Sequence, residues 1–216
     1  MLFAMGFLLS EQGGKLSKES GRIKGLALLA GVIWLVCAIG GVFVELANLL
    51  GGGLLGAFNW SALSSFLTST SIGKDYLFQI IMGLVAIALI SQAKKVGAIY
   101  FALATTMLAL LVPLFQSHAA SAGNHGLAIG SLLFHVGAVS LWVGGVMGLI
   151  VISPRERSAS ITRFSALALW AAFIVGVSGV LSAWTRLNFW AGWHTRYGLL
   201  VILKGVLFFV LVLFGA

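Results

Sequence analysis

Long apolar runs with almost no charge constrain this chain more than any other feature. A helix of about 20 apolar residues crosses the hydrocarbon core of a bilayer, where the backbone must satisfy its own hydrogen bonds. Of the 216 residues, 60% are hydrophobic and only 8% are charged, whereas a soluble domain carries roughly 25% charged residues. The sequence therefore predicts an all-α, polytopic transmembrane helix bundle. Its six full spans are residues 25–50, 75–91, 97–116, 127–152, 161–184 and 197–214.

Two further segments are apolar but shorter than a span. Residues 1–10 are too short to cross, and positive charge follows them instead of preceding them as in a signal peptide. We interpret them as an N-terminal partial helix whose start is missing. Residues 51–72 are uncharged and begin with three glycines. They predict a short helix at the membrane interface with Trp60 as its anchor. Residues 1–216 are thus predicted to form a single transmembrane domain.

The basic residues are distributed unevenly among the loops. Loops 11–25, 92–96 and 153–163 together hold nine lysines and arginines, whereas the alternate loops hold three. Because positively charged loops stay on the cytoplasmic side, we expect residues 11–25 and the C-terminus to be cytoplasmic. The loops that contain His118, His125 and His194 are then expected on the outside.

Composition excludes several functional classes. With one cysteine, Cys37, the chain cannot form an internal disulfide or a zinc site made of several cysteines. The net charge of +8 lies in short loops and not in a basic arm, so no nucleic-acid partner is predicted. No serine sits in a nucleophile-elbow pattern and no carboxylate pair is arranged for acid–base chemistry. The sequence does not predict an enzyme.

The few ionisable residues inside the spans gather in the predicted outer half of the membrane. At a rise of about 1.5 Å per residue, His135 lies ~12 Å and Lys204 ~11 Å below the outer ends of their helices, and Glu45 lies ~8 Å from its own. Asp75 begins its span on the outside. Ionisable residues in membrane helices usually face the bundle interior and mark a functional site. The pattern predicts a polar vestibule open to the outside, in which Lys204 pairs with Glu45 or Asp75.

Three of the four histidines fall within eighteen residues, just before and inside the fourth span. Imidazole binds several transition metals, and thioether sulfur favours Cu(I). The candidate metal ligands are His118, His125, His135, Met107, Met82 and Glu45, and the supporting residues are Lys204, Asp75, Trp142 and His194. Purely structural roles compete with this interpretation: the methionines as packing residues, the carboxylates as interfacial ion pairs, His194 as an interfacial residue and Cys37 as an inert thiol.

Glycines in the fourth span predict close helix packing. Gly130, Gly137 and Gly144 recur every seven residues, and Gly148 follows four residues later. Small residues on one face let a neighbouring helix approach closely. His135 and Trp142 are also seven residues apart and lie on a different stripe.

From residue 117 onward, short motifs follow one another in a recognisable order. They are His118-Ala119, His135, Trp142-Val143-Gly144-Gly145, Arg163-Phe164-Ser165, Gly179, Ala183, Thr195-Arg196-Tyr197-Gly198 and Lys204. On these residues the chain resembles the CopD family of bacterial copper-resistance and copper-uptake membrane proteins. Residues 1–116 are similar to that family only in hydropathy and in the loop before Lys74.

The resemblance implies copper handling at the bacterial cytoplasmic membrane, beside a secreted copper-binding partner of the CopC type. A methionine-rich copper-binding tract is absent, so scattered histidines and a few methionines would have to bind the ion. Copper import is the leading prediction. One alternative is a haem-binding electron-transfer protein, which needs a second histidine at the depth of His135. The other is a copper-delivery or assembly subunit for a respiratory oxidase.

Overall fold

The computed structural model describes residue 16 and residues 20–51, 53–116, 125–187 and 192–215. Helices dominate this part of the chain. In chain order they are α1 (Ser20–Leu50), α2 (Gly53–Gly56), α3 (Trp60–Ser69), α4 (Ser71–Gln92), α5 (Val96–Leu111), a 3-10 turn (Val112–Gln116), α6 (His125–Val151), α7 (Pro154–Arg186) and α8 (Arg196–Gly215).

Six of these helices are long and apolar enough to cross a membrane. The spans are Ile23–Leu50, Ser71–Gln92, Val96–Phe115, Gly126–Val151, Arg157–Thr185 and Arg196–Leu213. They coincide with the six predicted spans, so the prediction of an all-α multi-pass membrane protein is confirmed. The predicted partial helix at residues 1–10 lies outside the described residues.

The segment between the first two spans contains the predicted short helix, α3. Asn59 caps its start, because its side-chain oxygen accepts hydrogen bonds from the backbone N–H groups of Ser61 and Ala62. Thr70 joins α3 to α4: its hydroxyl donates to the Phe66 carbonyl at 2.7 Å and accepts from the Gly73 N–H at 2.9 Å. Trp60 is 79% exposed, as an anchor at the membrane interface requires, and that location stays a prediction.

The helices pack in two groups that meet along α5 and α6. In the first group α4 packs against both α1 and α5, and α3 lies across α4. In the second, α6 and α7 form a long antiparallel hairpin, and α8 packs against α7. The hairpin turns tightly, since Pro154 opens α7 and the Arg157 guanidinium donates to the Ile152 carbonyl at the end of α6.

One hydrophobic cluster joins both groups at a single end of the bundle. Its members come from the start of α1, the end of α4, the start of α5, the end of α6 and the start of α7. We call it the basal cluster; its buried residues are Ile23, Ala27, Ile90, Ala93, Ile99, Ala102, Ile152 and Phe164. In the predicted orientation this end faces the cytoplasm. The basal cluster therefore closes the bundle there with apolar side chains.

The predicted orientation can be tested by cysteine labelling. In a Cys37→Ser background, Ser61→Cys on α3 should react with a membrane-impermeant maleimide added from outside, and Lys95→Cys should react only after the membrane is opened. Both side chains are exposed, so the difference reports the side of the membrane. Labelling of Lys95→Cys from the outside in intact cells would show that the orientation is reversed.

Candidate functional site

His135 lies in the interface between α6 and α7, about three turns from the start of α6. Its imidazole is half-buried, and its Nδ1 atom lies 3.1 Å from the Ser178 hydroxyl on α7. Gly179 on α7 also faces the ring: a Cβ at that position would lie 3.6 Å from His135 Cε1, at ordinary van der Waals distance. The polar residue that the sequence singled out therefore has a hydrogen-bond partner on the neighbouring helix.

A second polar contact joins the same two helices, one turn nearer their predicted outer ends. The Ser131 and Ser182 hydroxyl oxygens are 3.0 Å apart. Ser131 and His135 are four residues apart on α6, and Ser178 and Ser182 are four apart on α7, so each pair shares one helix face. Because the helices run antiparallel, the two faces meet as two successive polar contacts. We call these four residues the α6–α7 polar seam.

Sequence reasoning did not single out the serines of this seam. Their spacing carried a usable signal, since a serine four residues from the intramembrane histidine shares its face. Ser131 and Ser178 are buried, at 5% and 3% exposure. The polar face of α6 therefore lies inside the α6–α7 hairpin and does not face lipid.

Two predicted outer ligands fall where the structure gives no side-chain information. His118 lies outside the described residues, and His125 begins α6 with its side chain undescribed. Their roles as metal ligands stay predictions. The start of α6 at His125 places that residue at the same helix end from which the polar seam begins.

Glu45 and Asp75 belong to the other helix group. Glu45 is half-buried near the end of α1, and Asp75 is half-buried in the first turns of α4. Between these helix ends lies a second hydrophobic cluster, built from Val42, Leu46, Ala47, Ala57 and Phe66. The outer ends of α1 and α4 are therefore packed with apolar side chains beneath α3, and the structure does not place an open polar vestibule between them.

Lys204 lies on a different group of helices from its predicted partners, Glu45 and Asp75. Its side chain is exposed on α8, which packs against α7 and not against α1 or α4. The pairing of Lys204 with Glu45 or Asp75 stays a prediction, because the helix that carries Lys204 and the helices that carry the carboxylates belong to different groups.

The remaining candidates are dispersed. Met82 and Met107 are half-buried on α4 and α5, and Cys37 is exposed on α1. His194 is exposed in the turn before α8. Trp142 packs edge-on against Phe208 with ring centroids 6.1 Å apart, which fastens α8 to α6. Its role is therefore to hold helices together.

Taken together, the described side chains do not form a preassembled metal centre. No group of three or more histidine, cysteine, aspartate or glutamate side chains in the described ranges is arranged to hold a metal ion. His135 is the ionisable ligand that the fold places inside the α6–α7 interface. Further ligands would have to come from the undescribed side chains at 117–125 or from rearrangement.

A cavity of about 430 Å³ lies directly beyond the basal cluster, between α1, α4, α5 and α6. Its lining includes Ala27 and Ile90 of that cluster. Thr106 and Ser140 contribute hydroxyl groups, and the Thr106 hydroxyl donates to the Ala102 carbonyl. The described lining contains no imidazole, carboxylate or thioether, so the cavity does not continue a row of metal ligands towards the basal end.

Two comparisons with protein families cover most of the chain. Residues 2–128 match the family described as copper resistance protein D-like, N-terminal domain. The chain belongs to the copper resistance protein D family. Residues 158–216 separately match copper resistance protein D. Membership of the copper resistance protein D family therefore extends into residues 1–116, where the sequence showed similarity only in hydropathy and in the loop before Lys74.

A curated relative points to the same chemistry. The chain is 27% identical to the copper transport protein CutJ of Bacillus subtilis (strain 168), over 77% of this chain and 34% of that protein. The chain thus spans about a third of the length of the curated relative that it matches. No solved structure matches it. Copper handling by a multi-pass membrane protein is the function class that these comparisons support.

Several family motifs acquire structural roles in this fold. Thr195 caps α8, since its hydroxyl accepts from the Gly198 N–H at 3.1 Å and donates to the Gly192 carbonyl at 2.6 Å. Gly198 has to be glycine because any Cβ would collide with the backbone of Gly192 and Trp193. Phe164 is buried in the basal cluster. These motif residues build the frame around the hairpin, and among the motif residues that the structure describes, His135 is the one with an imidazole ligand.

Proposed function

We propose that this chain imports copper ions from the extracytoplasmic side of the bacterial cytoplasmic membrane, and that His135 is its deepest imidazole ligand. The observation that carries the proposal is the setting of His135, which is half-buried in the α6–α7 interface with Ser178 as its partner. In a chain of a copper-resistance family, the one histidine inside a span is held by Ser178 within a helix hairpin. An intramembrane imidazole with a defined partner is by default a functional group.

The proposed direction of transport, inward, is supported by the predicted positions of the histidines and of the charged loops. His118 and His125 precede α6 at its predicted outer end, and no lysine or arginine lies between them to repel a cation. The ion would first meet these imidazoles and then His135. Met82, Met107 and Glu45 are the further candidates for completing the coordination, thioether for Cu(I) and carboxylate for Cu(II).

The basal cluster determines what must happen after binding. Its apolar side chains and the apolar cavity above it offer a copper ion no ligand. Passage to the cytoplasm therefore requires the two helix groups to separate along α5 and α6, where the groups meet. A secreted CopC-type protein is the proposed donor on the outer side.

Metal analysis of the purified protein tests the proposal. After equilibration with copper and removal of excess ion, the wild-type protein in detergent should retain copper in stoichiometric amount, and its absorption spectrum should lack a Soret band. A Soret band that shifts on reduction would support the haem alternative. Failure of the wild-type protein to retain either Cu(I) or Cu(II) would refute the copper proposal.

The outer histidines should affect uptake mainly when copper is scarce. Imidazoles at the mouth raise the local occupancy of the ion, which limits the rate only at low copper. The His118→Ala/His125→Ala double variant should lose copper uptake at limiting concentration and recover most of it at high concentration. Radioactive copper uptake by cells measures both conditions. Equal losses at both concentrations would show that these histidines do not act at the mouth.

A further inference from the structure

Ser178 has two hydrogen-bond neighbours in addition to its contact with His135. Its hydroxyl lies 2.5 Å from the Ile174 carbonyl and 3.2 Å from the Val175 carbonyl, both in the preceding turn of α7. Serine in a helix commonly donates its hydroxyl proton to such a carbonyl. The Ser178 side chain is 97% buried, with a residual exposure of 3%, so water does not compete for the proton.

The number of protons that each group can donate determines which of Ser178 and His135 is the donor. A hydroxyl has one proton to donate and two lone pairs that accept. Carbonyl oxygens can only accept, so the Ser178 proton is engaged by the helix backbone. Towards His135, which is 3.1 Å away, Ser178 therefore acts as acceptor, and His135 Nδ1 has to carry the N–H.

A neutral imidazole carries one N–H and one lone pair. With the proton on Nδ1, the lone pair of His135 is on Nε2. Among the described residues, Nε2 forms no hydrogen bond. Histidines that bind metals in proteins almost always donate their other ring N–H to an acceptor, which fixes both tautomer and ring orientation.

We propose that Ser178 is a positioning residue that holds neutral His135 in the Nδ1–H tautomer and so presents Nε2 as the copper ligand. The assignment of the tautomer stands on the hydrogen-bond geometry alone. The assignment of Nε2 as copper ligand rests on the proposed function. Gly179 is not needed to admit the ring, since a Cβ there would lie 3.8 Å from Nδ1, at ordinary van der Waals distance.

The second contact of the polar seam offers a matched control. Ser182 lies one turn from Ser178 on the same face of α7 and contacts the Ser131 hydroxyl at 3.0 Å. A hydroxyl partner has no tautomer to choose. Ser182→Ala therefore removes a similar hydroxyl from the same interface without touching the imidazole.

The test is the ¹⁵N NMR spectrum of metal-free protein labelled at histidine, recorded where the imidazole is neutral. The His135 signals are assigned by their loss in His135→Gln. In the wild-type protein we expect a protonated Nδ1 and an unprotonated Nε2. Ser178→Ala should convert His135 to a mixture or to the Nε2–H form, Ser178→Thr should restore the wild-type pattern, and Ser182→Ala should leave it unchanged.

Copper affinity provides the second readout. Loss of an outer hydrogen-bond partner typically weakens metal binding by roughly 10–100-fold, so Ser178→Ala should do so while Ser178→Thr and Ser182→Ala stay near wild type. An Nε2–H tautomer in the wild-type protein, or an unchanged tautomer in Ser178→Ala, overturns the inference whether or not copper binds. A changed tautomer with unchanged copper affinity overturns the assignment of Nε2 as the ligand. Absence of copper binding with the Nδ1–H tautomer present refutes the proposed function and leaves the role of Ser178 in place.

Discussion

Replacing His135 by alanine is expected to abolish stoichiometric copper binding while the protein stays folded. The variant removes the deepest proposed ligand. The substitution leaves no buried hydroxyl in the described part of the hairpin without a partner, because Ser178 keeps its hydrogen bond to the Ile174 carbonyl at 2.5 Å. A deletion that does not orphan a buried donor avoids most of the usual desolvation penalty. Copper content after dialysis measures the first expectation, and size-exclusion elution with thermal unfolding measures the second.

The neighbouring residue provides the control for this variant. Phe134 is 67% exposed, on the face of α6 that is turned away from the hairpin interface. Phe134→Ala therefore changes the same turn of the helix without altering that interface. It should retain wild-type copper content. Stoichiometric copper in folded His135→Ala would exclude His135 as an essential ligand. It would direct attention to His194, Cys37 and the methionines.

Gly145→Ala should destabilise the protein strongly. A Cβ at position 145 would overlap the Phe164 ring, with Phe164 Cδ2 only 2.5 Å away. Phe164 is 7% exposed and belongs to the basal cluster, so its ring cannot swing into lipid without opening that cluster. Inserting atoms into a packed interior lowers the free energy of unfolding by roughly 1–3 kcal/mol, and occasionally by more. Here the added Cβ overlaps the whole edge of an aromatic ring. We expect a clearly lowered unfolding temperature and poor recovery from the membrane.

Gly137 is the matched control on the same helix. A Cβ there would find its nearest described neighbour, Leu111 Cδ1, at 4.0 Å, so Gly137→Ala should be tolerated. Combining Gly145→Ala with Phe164→Leu should recover much of the lost stability, because the smaller side chain vacates the collision. A Gly145→Ala variant with wild-type unfolding temperature, or a double variant no better than the single one, would contradict the packing of α6 against Phe164.

The sequence by itself determined the number, length and approximate ends of the membrane-crossing helices. Hydropathy is a property of consecutive residues, and a bilayer requires about 20 of them per helix. Residues 25–50 and 197–214 could therefore be recognised as spans without any knowledge of their neighbours, and the structure has spans at Ile23–Leu50 and Arg196–Leu213. The uncharged segment 51–72 similarly indicated a short helix, which the structure shows as α3 with Asn59 as its N-cap. The importance of His135 also followed from one residue in its apolar context.

Which helix faces meet was decided only by the tertiary structure. In a soluble protein the polar face of a helix points outward, but a helix in lipid is apolar on every side, so hydropathy does not mark the face that packs. The sequence accordingly placed Glu45 and Lys204 in one vestibule, whereas the fold puts them on α1 and α8 in different helix groups.

For the same reason, hydropathy does not show which small residues on α6 pack closely against another helix. Gly130 and Gly145 look equivalent as small residues in the sequence, yet a Cβ at Gly130 meets no described atom within 4 Å and one at Gly145 meets Phe164. The partner of His135 is Ser178, which lies 43 residues later in the chain. Hydropathy shows that the imidazole lies inside the membrane, because the span that contains it crosses the membrane. The identity of its partner depends on the register of two antiparallel helices, and that register is determined by side-chain packing between them.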